Sequence, residues 1–460
     1  MNNFNEFKSS LIDSKIAVIG AGVSNIPLIK YLLNLGCNIT LFDKKMLDEM
    51  SDEVKNLIEY NKLSISLGED YLKELVGFDI IFRSPSMLPT NSYLVAEKNR
   101  GAIVTTEIEQ VIKYSKGKTI GITGSKGKTT TTTITNEILT KMGYKTHLGG
   151  NIGIPLFDKI EEINEEDIVV LELSSFQLMN MEVSPNIAIV TNISPDHLDI
   201  HSSYLEYIDA KKYIFKNQDE NSLLVLNYDD EIVNKFTNDS KANIRYFADN
   251  YIKDCYVLND SYISYNNRNI FDTNKFYLKG KHNYLNICAS LNAIKDFINV
   301  DNEELEKIIS EINSVHHRLE FVREINGVKW YNDSASTTPD KSLAGINAFD
   351  TDIVLIAGGY DKNISYDSLA KPIINKVSKL ILFGDTKDKI YEVVMNEIKN
   401  NSDVKTRIYL LDTLEEVVDV ANKVSEAGEV VLFSPASASF DMFKNAYQRG
   451  DLFKNLVNSL

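Results

Sequence analysis

Cysteine is scarce: Cys37, Cys255 and Cys288 are the only three in 460 residues, scattered and odd in number. That argues against a disulfide framework and fits a reducing compartment, with each thiol expected as a small buried hydrophobe. Positive charge is in deficit, with 49 Lys and Arg against 65 Asp and Glu, a formal net charge of −16. Such a chain lacks the basic face that nucleic-acid binding needs. An anionic ligand must then be held by local clusters of Lys, Arg and helix N-termini. No apolar run approaches the roughly 20 residues needed to span a bilayer. The opening "MNNFNEFKSSLIDSK" lacks the apolar stretch of a secretory signal. A cytoplasmic protein without membrane insertion is expected. Internal repeats and low-complexity linkers are also missing.

What is present is an ordinary globular composition, 43% apolar and 25% charged, in a chain too long for one core. Three blocks of strand-helix alternation point to an α/β protein of three domains. Residues 1–105 open with "SKIAVIGAGVSN", followed by a helical pattern and by strands "NITLFD" and "FDIIFRSPSM". They read as a Rossmann-like domain. Residues 106–313 contain "GKTIGITG", "EDIVVLELSS" and "NIAIVTNIS", strands of a central domain with a parallel sheet. A Tyr-, Asn- and Asp-rich stretch from Asp249 to Lys279 adds short antiparallel strands. Residues 314–460 carry four buried-strand patterns, "DIVLIAGG", "KLILFGD", "RIYLLD" and "EVVLFSPAS", a second Rossmann-like α/β sheet.

Two glycine motifs each lack a glycine. "GAGVSN" supplies Gly20 and Gly22, but Asn25 stands where a dinucleotide fingerprint wants Gly or Ala; Asp43 sits where a ribose-binding acid would. The reading is a Rossmann-like domain that binds no dinucleotide, or binds another nucleotide. "GITGSKGKTT" has Ile122 where the usual phosphate loop has its first Gly. Gly124 and Gly127 still let backbone N–H groups converge on phosphate. Lys128 can neutralise the β/γ-phosphates, and Thr129 or Thr130 can offer a hydroxyl to Mg²⁺. The bland alternative, a plain helix start, leaves the Gly-Ser-Lys-Gly-Lys cluster unexplained.

Downstream, Glu172 ends a buried strand, where a carboxylate is costly unless it faces a cation, so a Mg²⁺ ligand is its natural role. "TNISPDHLDIH" crowds Asn192, Asp196, His197, Asp199 and His201 after another strand end. Lys211 follows in "YIDAKKYIF". Each alone could be a solvated loop charge. Three polar clusters at three strand ends point instead to one site.

These motifs together resemble the Mur ligases, ATP-dependent amide ligases of peptidoglycan synthesis related to folylpolyglutamate synthase. The shared residues are "TGSKGKTT", "GGNIG", "TNISPDHLD", "AKKYIF", "GKHNYLN", "HHRLEF" and "NDSASTTP". The resemblance runs from Gly20 to Gly450, and the family's short Gly-x-x-Gly-Lys loop accounts for Ile122. "ELSSFQL" and "SPASASFDMFKNAYQRG" are most similar to the member that adds D-glutamate to UDP-N-acetylmuramoyl-L-alanine.

The resemblance implies a UDP site in the first domain at Val23, Ser24, Asp43, Lys44, Ser84 and Pro85, with Ser86 in place of the family's usual Gly. It implies that Gly124, Ser125, Lys126, Gly127, Lys128, Thr129 and Thr130 hold ATP. Two Mg²⁺ ions would be held by Thr129, Thr130, Glu172, His197 and Lys211, the last as a carbamylated lysine. Asn151 is implied near substrate and phosphates, and Asn283 and Asn286 near the adenine. In the last domain Arg318 and Asp333 are implied ATP contacts, and Thr337, Lys362 and Ser439 the D-glutamate site. Ala335 stands where some members have Lys, and Ala446 where some have an aromatic, with Tyr447 beside it. Lys128, His197 and Lys211 are the implied catalytic residues. The implied product forms through an acyl phosphate, in a monomer whose partners are small molecules alone.

Three alternatives remain at this level. Another Mur ligase or a folylpolyglutamate synthase would differ in the amino acid that drives ADP release. A Rossmann oxidoreductase built on "GAGVSN" would bind NAD(P) and leave the phosphate loop idle. A nucleotide-gated binding protein would turn over ATP without forming an amide.

Overall fold

The computed structural model describes residues 4–22, 24–61, 63–196, 200–276, 280–300, 303–312, 317–362, 364–399, 401 and 406–460. The chain divides into two compact units, Met1–Ile312 and Asn313–Leu460. The first carries two sheets and the second one, an α/β architecture as the strand-helix alternation predicts.

The first sheet holds β1 (Lys15–Ile19), β2 (Asn38–Asp43), β3 (Ser64–Leu67), β4 (Ile80–Arg83) and β5 (Ile103–Thr105) in the order β3-β2-β1-β4-β5. All pairings are parallel. "IAVI" in β1 and "IIFR" in β4 are buried along their length, as central parallel strands require. The order reverses at β1, so the carboxyl ends of β1 and β4 form a switch-point crevice, the usual place for a ligand. Gly20 and Ser84 face each other there.

The second sheet holds β6 (Lys118–Thr123), β7 (Thr146–Gly150), β8 (Ile168–Glu172), β9 (Ile187–Val190), β10 (Leu223–Asn227), β11 (Asn243–Asp249), β12 (Cys255–Leu258), β13 (Tyr262–Tyr265) and β14 (Arg268–Asp272). Its order is β14-β13-β12-β11-β10-β9-β6-β8-β7. Pairings from β7 to β12 are parallel, and β12-β13-β14 is an antiparallel meander, where the Tyr- and Asn-rich stretch predicts one. Cys255 and Cys288 are fully buried in the apolar core beneath this sheet, and Cys37 is buried beside β1 and β2. The thiols are the small core hydrophobes that the sequence predicts.

The third sheet holds β15 (Glu320–Ile325), β16 (Val328–Asn332), β17 (Ile353–Gly358), β18 (Val377–Phe383), β19 (Arg407–Leu410) and β20 (Val430–Phe433), in the order β15-β16-β20-β17-β18-β19. Two details differ from the sequence reading. An antiparallel hairpin, β15-β16, extends the four parallel strands. Its turn is Asn326-Gly327, both at positive φ, a hairpin signal that was there to be read. β19 reads as a buried strand but is the sheet's edge, with Arg407 and Leu410 exposed.

Candidate active site

The phosphate-type loop joins β6 to the helix Lys128–Lys141. Ile122, at the place of the missing glycine, is fully buried in the strand, so the loop proper begins only at Gly124. Gly124 has φ +146°, and a Cβ there would lie 1.9 Å from Thr191 Oγ1. Gly127 has φ +82°, and a Cβ would lie 2.7 Å from Asn286 Oδ1. Both positions require glycine, for backbone conformation and for space.

Side chains from the next strand end fix this loop. The Lys126 amide donates to Asn192 Oδ1 at 2.9 Å, and Asn192 Nδ2 and Thr191 Oγ1 donate back to the Lys126 carbonyl. Ser125 Oγ bonds the Ser194 carbonyl at 2.9 Å and the Tyr207 hydroxyl at 2.8 Å. The helix after the loop is stabilised by its own threonines. Thr131 Oγ1 donates to Asn286 and Thr135 Oγ1 to Ser290, so polar β-branched residues in mid-helix bond to the neighbouring helix Lys281–Ile294. Asn286 is thereby placed against the loop; Asn283 lies one turn nearer that helix's start.

Two lysines converge on one carbonyl. Lys128 Nζ and Lys211 Nζ each donate to Gly124 O at 2.9 Å. Lys211 is 1% exposed and lies in the helix Tyr204–Lys212, with its Nζ 4.7 Å from the centre of the Tyr207 ring. The surface role open to Lys211 from sequence falls to its neighbour: Lys212 pairs with Asp239 at 2.9 Å and Asp209 at 3.6 Å. Burial, and then the charge of Lys128, hold the Lys211 amine well below the usual lysine range, against the pull of Asp196 and Glu172. Burial also pushes the Tyr207 hydroxyl up to about 12.

Glu172 ends β8 and is 1% exposed. Its Oε1 accepts from Asn151 Nδ2 at 2.8 Å, and its backbone carbonyl accepts from the Asn151 amide. Its Oε2 is buried and finds no hydrogen-bond partner among the described residues. An unsatisfied buried carboxylate oxygen is costly, and a hard cation is what would satisfy it. The donor types fit Mg²⁺, with the hydroxyls of Thr129 and Thr130 buried at the same loop. Among the described residues no group of three or more His, Cys, Asp and Glu could hold a metal. A divalent ion there would draw most of its ligands from phosphate, water and hydroxyl oxygens. His197 and Asp199 lie outside the described residues.

At the switch point of the first sheet, Asp43 accepts from the Ala21 amide at 2.8 Å and from the Lys45 amide at 2.9 Å. A Cβ on Gly20 would lie 3.1 Å from Ser84 Cβ, so the glycine turn and the "SPS" loop abut. Ser86 Oγ bonds Ser84 Oγ at 2.9 Å. Asn25, the residue replacing the third glycine, is buried and donates through Nδ2 to the carbonyls of Ile19 and Gly20. A side chain thus pins the turn at the position where a dinucleotide fingerprint has Gly or Ala for close helix–strand packing. Ser24 precedes the helix Asn25–Asn34, and Lys44 follows β2; Val23 lies outside the described residues. Sequence reading gave no task to Arg83, which ends β4. It is 4% exposed and reaches the carbonyls of Phe176 at 3.4 Å and Met179 at 2.8 Å, tying the "SPS" loop to the turn after Glu172.

The second unit gathers its own polar cluster at the carboxyl edge of β16, β17 and β20. Asp333 is buried, accepts from Ser434 Oγ at 2.6 Å and the Leu319 amide at 3.2 Å, and is pushed up to about 6 by burial, against those bonds and the Arg318 charge. Lys362 Nζ stands 6.0 Å from the Phe440 ring, next to buried Ser439. Tyr360 meets the same ring edge-on. Tyr447 packs its ring 5.2 Å from that of His317, and Ala446 O accepts from Ser334 Oγ. Ala335 donates its amide to the His317 carbonyl. Thr337 follows on the same loop.

Arg449 holds this cluster together. It is fully buried and donates to the carbonyls of Ala438, Ser334 and Ser437 and to Ser334 Oγ, at 2.8–3.1 Å. It thus joins the loop bearing Thr337 to the loop bearing Ser439. Arg449→Ala takes the guanidinium donor from the buried Ser334 and Ser437 carbonyls, while Ala438 O keeps the Tyr360 amide and Ser334 Oγ keeps Ala446 O, an expected cost of about 2–4 kcal/mol. The melting temperature of the second unit's transition should fall by roughly 5–12 °C in calorimetry. An unchanged transition would remove Arg449 from this role.

Comparison with known proteins gives the following. Residues 122–294 match the Mur ligase middle domain, and residues 317–437 the Mur ligase glutamate ligase domain. The chain is 44% identical over 460 residues to the UDP-N-acetylmuramoylalanine–D-glutamate ligase of Clostridium perfringens, covering 100% of this chain and 99% of that one. Among solved structures, the UDP-N-acetylmuramate-alanine ligase MurC of Thermotoga maritima superposes with a TM-score of 0.61 at 19% identity, covering 97% of this chain and 99% of that one. The MurF ligase of Thermotoga maritima, in complex with ADP, gives 0.57 at 19% identity over 96% and 94%.

Proposed function

The chain belongs to the Mur ligase family, and from that premise we propose how it works as the member that joins D-glutamate to UDP-N-acetylmuramoyl-L-alanine. It is an ATP-dependent, ADP-forming ligase of peptidoglycan synthesis. The observation that carries the assignment of parts is the convergence of Lys128 and Lys211 on Gly124, beside the buried carboxylate of Glu172. Two nitrogens and one carboxylate at adjacent strand ends suit a nucleoside triphosphate and its metal, not a nicotinamide.

The first domain, residues 1–105, takes the UDP moiety at Val23, Ser24, Asp43, Lys44, Ser84 and Pro85. The central domain, residues 106–313, takes ATP on Gly124 to Thr130, with Asn283 and Asn286 toward the adenine and Asn151 near substrate. Residues 314–460 take D-glutamate at Thr337, Lys362 and Ser439, and Arg318 and Asp333 complete the ATP contacts.

A carboxylate is a poor acyl donor. The L-alanyl carboxylate oxygen therefore attacks the γ-phosphorus of ATP, ADP leaves, and an acyl phosphate forms. The D-glutamate nitrogen attacks the acyl carbon, gives up a proton, and inorganic phosphate departs with the C–O bonding pair. Lys128 counters the charge that builds on the transferring phosphoryl group. No side-chain nucleophile is required. Thr129, Thr130, Glu172, His197 and Lys211 would hold two Mg²⁺ ions. Bound there, Mg²⁺ neutralises phosphate charge and orients the phosphoryl group. Lys211 would contribute as a carbamate, formed when its uncharged amine adds to CO₂ and releases a proton. The protein acts as a cytoplasmic monomer on small molecules, without nucleic acid or membrane insertion; among the described residues no helix is long and apolar enough to cross a membrane.

The test is phosphate release from ATP with UDP-N-acetylmuramoyl-L-alanine against a panel of D- and L-amino acids. D-Glutamate alone should drive turnover. Preference for another amino acid, or ATP loss without amide formation, would overturn the reading.

The first domain should bind UDP and not NAD(P), because the Asn25 side chain occupies the turn. Calorimetric titration of the full chain should give saturable UDP-sugar binding and no NADH binding. The reverse result would return the oxidoreductase reading.

A further inference from the structure

One buried group beside the phosphate loop has no task in the chemistry above. His201 is 3% exposed. Its Nε2 lies 3.0 Å from Ser175 Oγ, and its ring stacks on Phe176 at 5.0 Å with planes 8° apart. The ring meets Tyr207 at 5.3 Å and 74°. Its Nδ1 lies 3.8 Å from Glu206 Oε2, a carboxylate that also accepts from the amide and hydroxyl of Ser202. Ser175 and Phe176 open the short helix that follows Glu172. Tyr207 bonds Ser125 of the phosphate loop and lies beneath the Lys211 nitrogen. A single imidazole thus touches the turn behind Glu172 and the ring that supports Lys211, and reaches the loop through that ring.

We infer that His201 is a positioning residue for phosphoryl transfer: it seats the helix bearing Tyr207 and Lys211 against the turn after Glu172, without touching nucleotide or reacting atoms. The inference rests on the functional reading above. Its physical basis is that the backbone ladder sets only one of the spacings: β6 pairs with β8 at Ile122 and Glu172, whereas Lys211 lies in the helix Tyr204–Lys212, outside that ladder. A flat ring with polar atoms on its edge can stack on Phe176, brace Tyr207 edge-on and bond Ser175 at once. Phenylalanine could do only the first two, and a short polar residue only the last. Misplacement by about 1 Å far from the reacting atoms can cost on the order of a hundredfold in rate.

The test uses the full-length enzyme and a double-mutant cycle of His201→Phe and Ser175→Ala. Each single change should lower kcat by about 10- to 100-fold. KM for the UDP-linked substrate should stay within about twofold, because the first sheet's site is untouched. The double variant should be no worse than the poorer single one, since both break the same joint. His201→Gln, whose amide falls near the place of Nε2, should recover part of the loss. ADP affinity measured by calorimetry should also weaken about three- to tenfold in His201→Phe, because the ring that braces Tyr207 is no longer anchored to Ser175 and the Tyr207–Ser125 contact shifts with it.

If His201→Phe does not fold, Ser175→Ala and His201→Gln must still show the kcat loss at a near-native melting temperature. Wild-type kcat in Ser175→Ala, losses that multiply in the double variant, or losses explained by the folded fraction alone would each overturn the inference. A wild-type enzyme that makes no amide with D-glutamate would overturn the functional reading instead, while the ADP titration would still decide whether the joint holds the loop.

Discussion

Lys128→Ala should lower ligation on the order of a hundredfold or more, as removal of one charge-stabilising donor does. Lys128 starts the helix after the phosphate loop, and its nitrogen bonds the carbonyls of Gly124 and Ser125. Folding the side chain back onto its own loop keeps the nitrogen where phosphate oxygens would arrive. The fold should tolerate truncation. Gly124 O keeps its bond from Lys211, and the loop remains held by Thr191, Asn192 and Tyr207. The melting temperature should therefore stay within a few degrees while turnover collapses. The loss should appear in kcat more than in KM for ATP, because the charge matters most as the γ-phosphoryl group transfers. A second effect adds to the first. The Lys128 charge is among the causes that hold the Lys211 amine down, so its removal returns Lys211 toward an ordinary ammonium. Near wild-type turnover in Lys128→Ala would refute the role given to this residue.

The residues legible in the sequence are those whose chemistry conflicts with their local setting. Glu172 is an acid at the end of an apolar strand, and the structure shows it buried, with one oxygen that finds no hydrogen-bond partner among the described residues. The glycines around Lys128 occupy positions where a Cβ would collide. The strands themselves were legible by their continuous apolar runs, from "IAVI" to "VVLF". What sequence reading left unassigned acts only through contacts distant in the chain. Tyr207 and Ser125 are 82 positions apart, and Arg449 and Ser334 115. Nothing in either local sequence announces the other. Asn25 is intermediate: the missing glycine was visible, but not that its amide would close the turn on Ile19 and Gly20. The edge position of "RIYL" was hidden for a different reason. Its apolar pattern is that of an inner strand, and only the sheet order exposes its ends.

Lys211→Ala should abolish nearly all activity, the largest loss expected of any single change in this chain. Lys211 is 1% exposed, lies over the Tyr207 ring, and donates to Gly124 O. As an ammonium it would repel a metal ion held by Glu172, and the site would hold two cations around one carboxylate. Burial that holds the amine well below its usual range favours the uncharged, nucleophilic form instead. Addition to CO₂ with loss of a proton reverses its sign and supplies two oxygen donors of the kind Mg²⁺ prefers. Three linked results follow from that chemistry. The alanine variant should be nearly dead, yet fold, because Lys128 still satisfies Gly124 O. Short carboxylic acids added to the variant should restore part of the activity, by filling the vacated space with a carboxylate. Stripping bicarbonate from the wild-type enzyme should lower its activity, and adding bicarbonate back should recover it. An ordinary surface lysine would give none of these, and its pairing with an acid would contribute only about 0–1 kcal/mol. That surface role belongs to Lys212, so Lys212→Ala should stay close to wild type in turnover. A fully active Lys211→Ala enzyme would remove the carbamate, and the metal site it serves, from the mechanism.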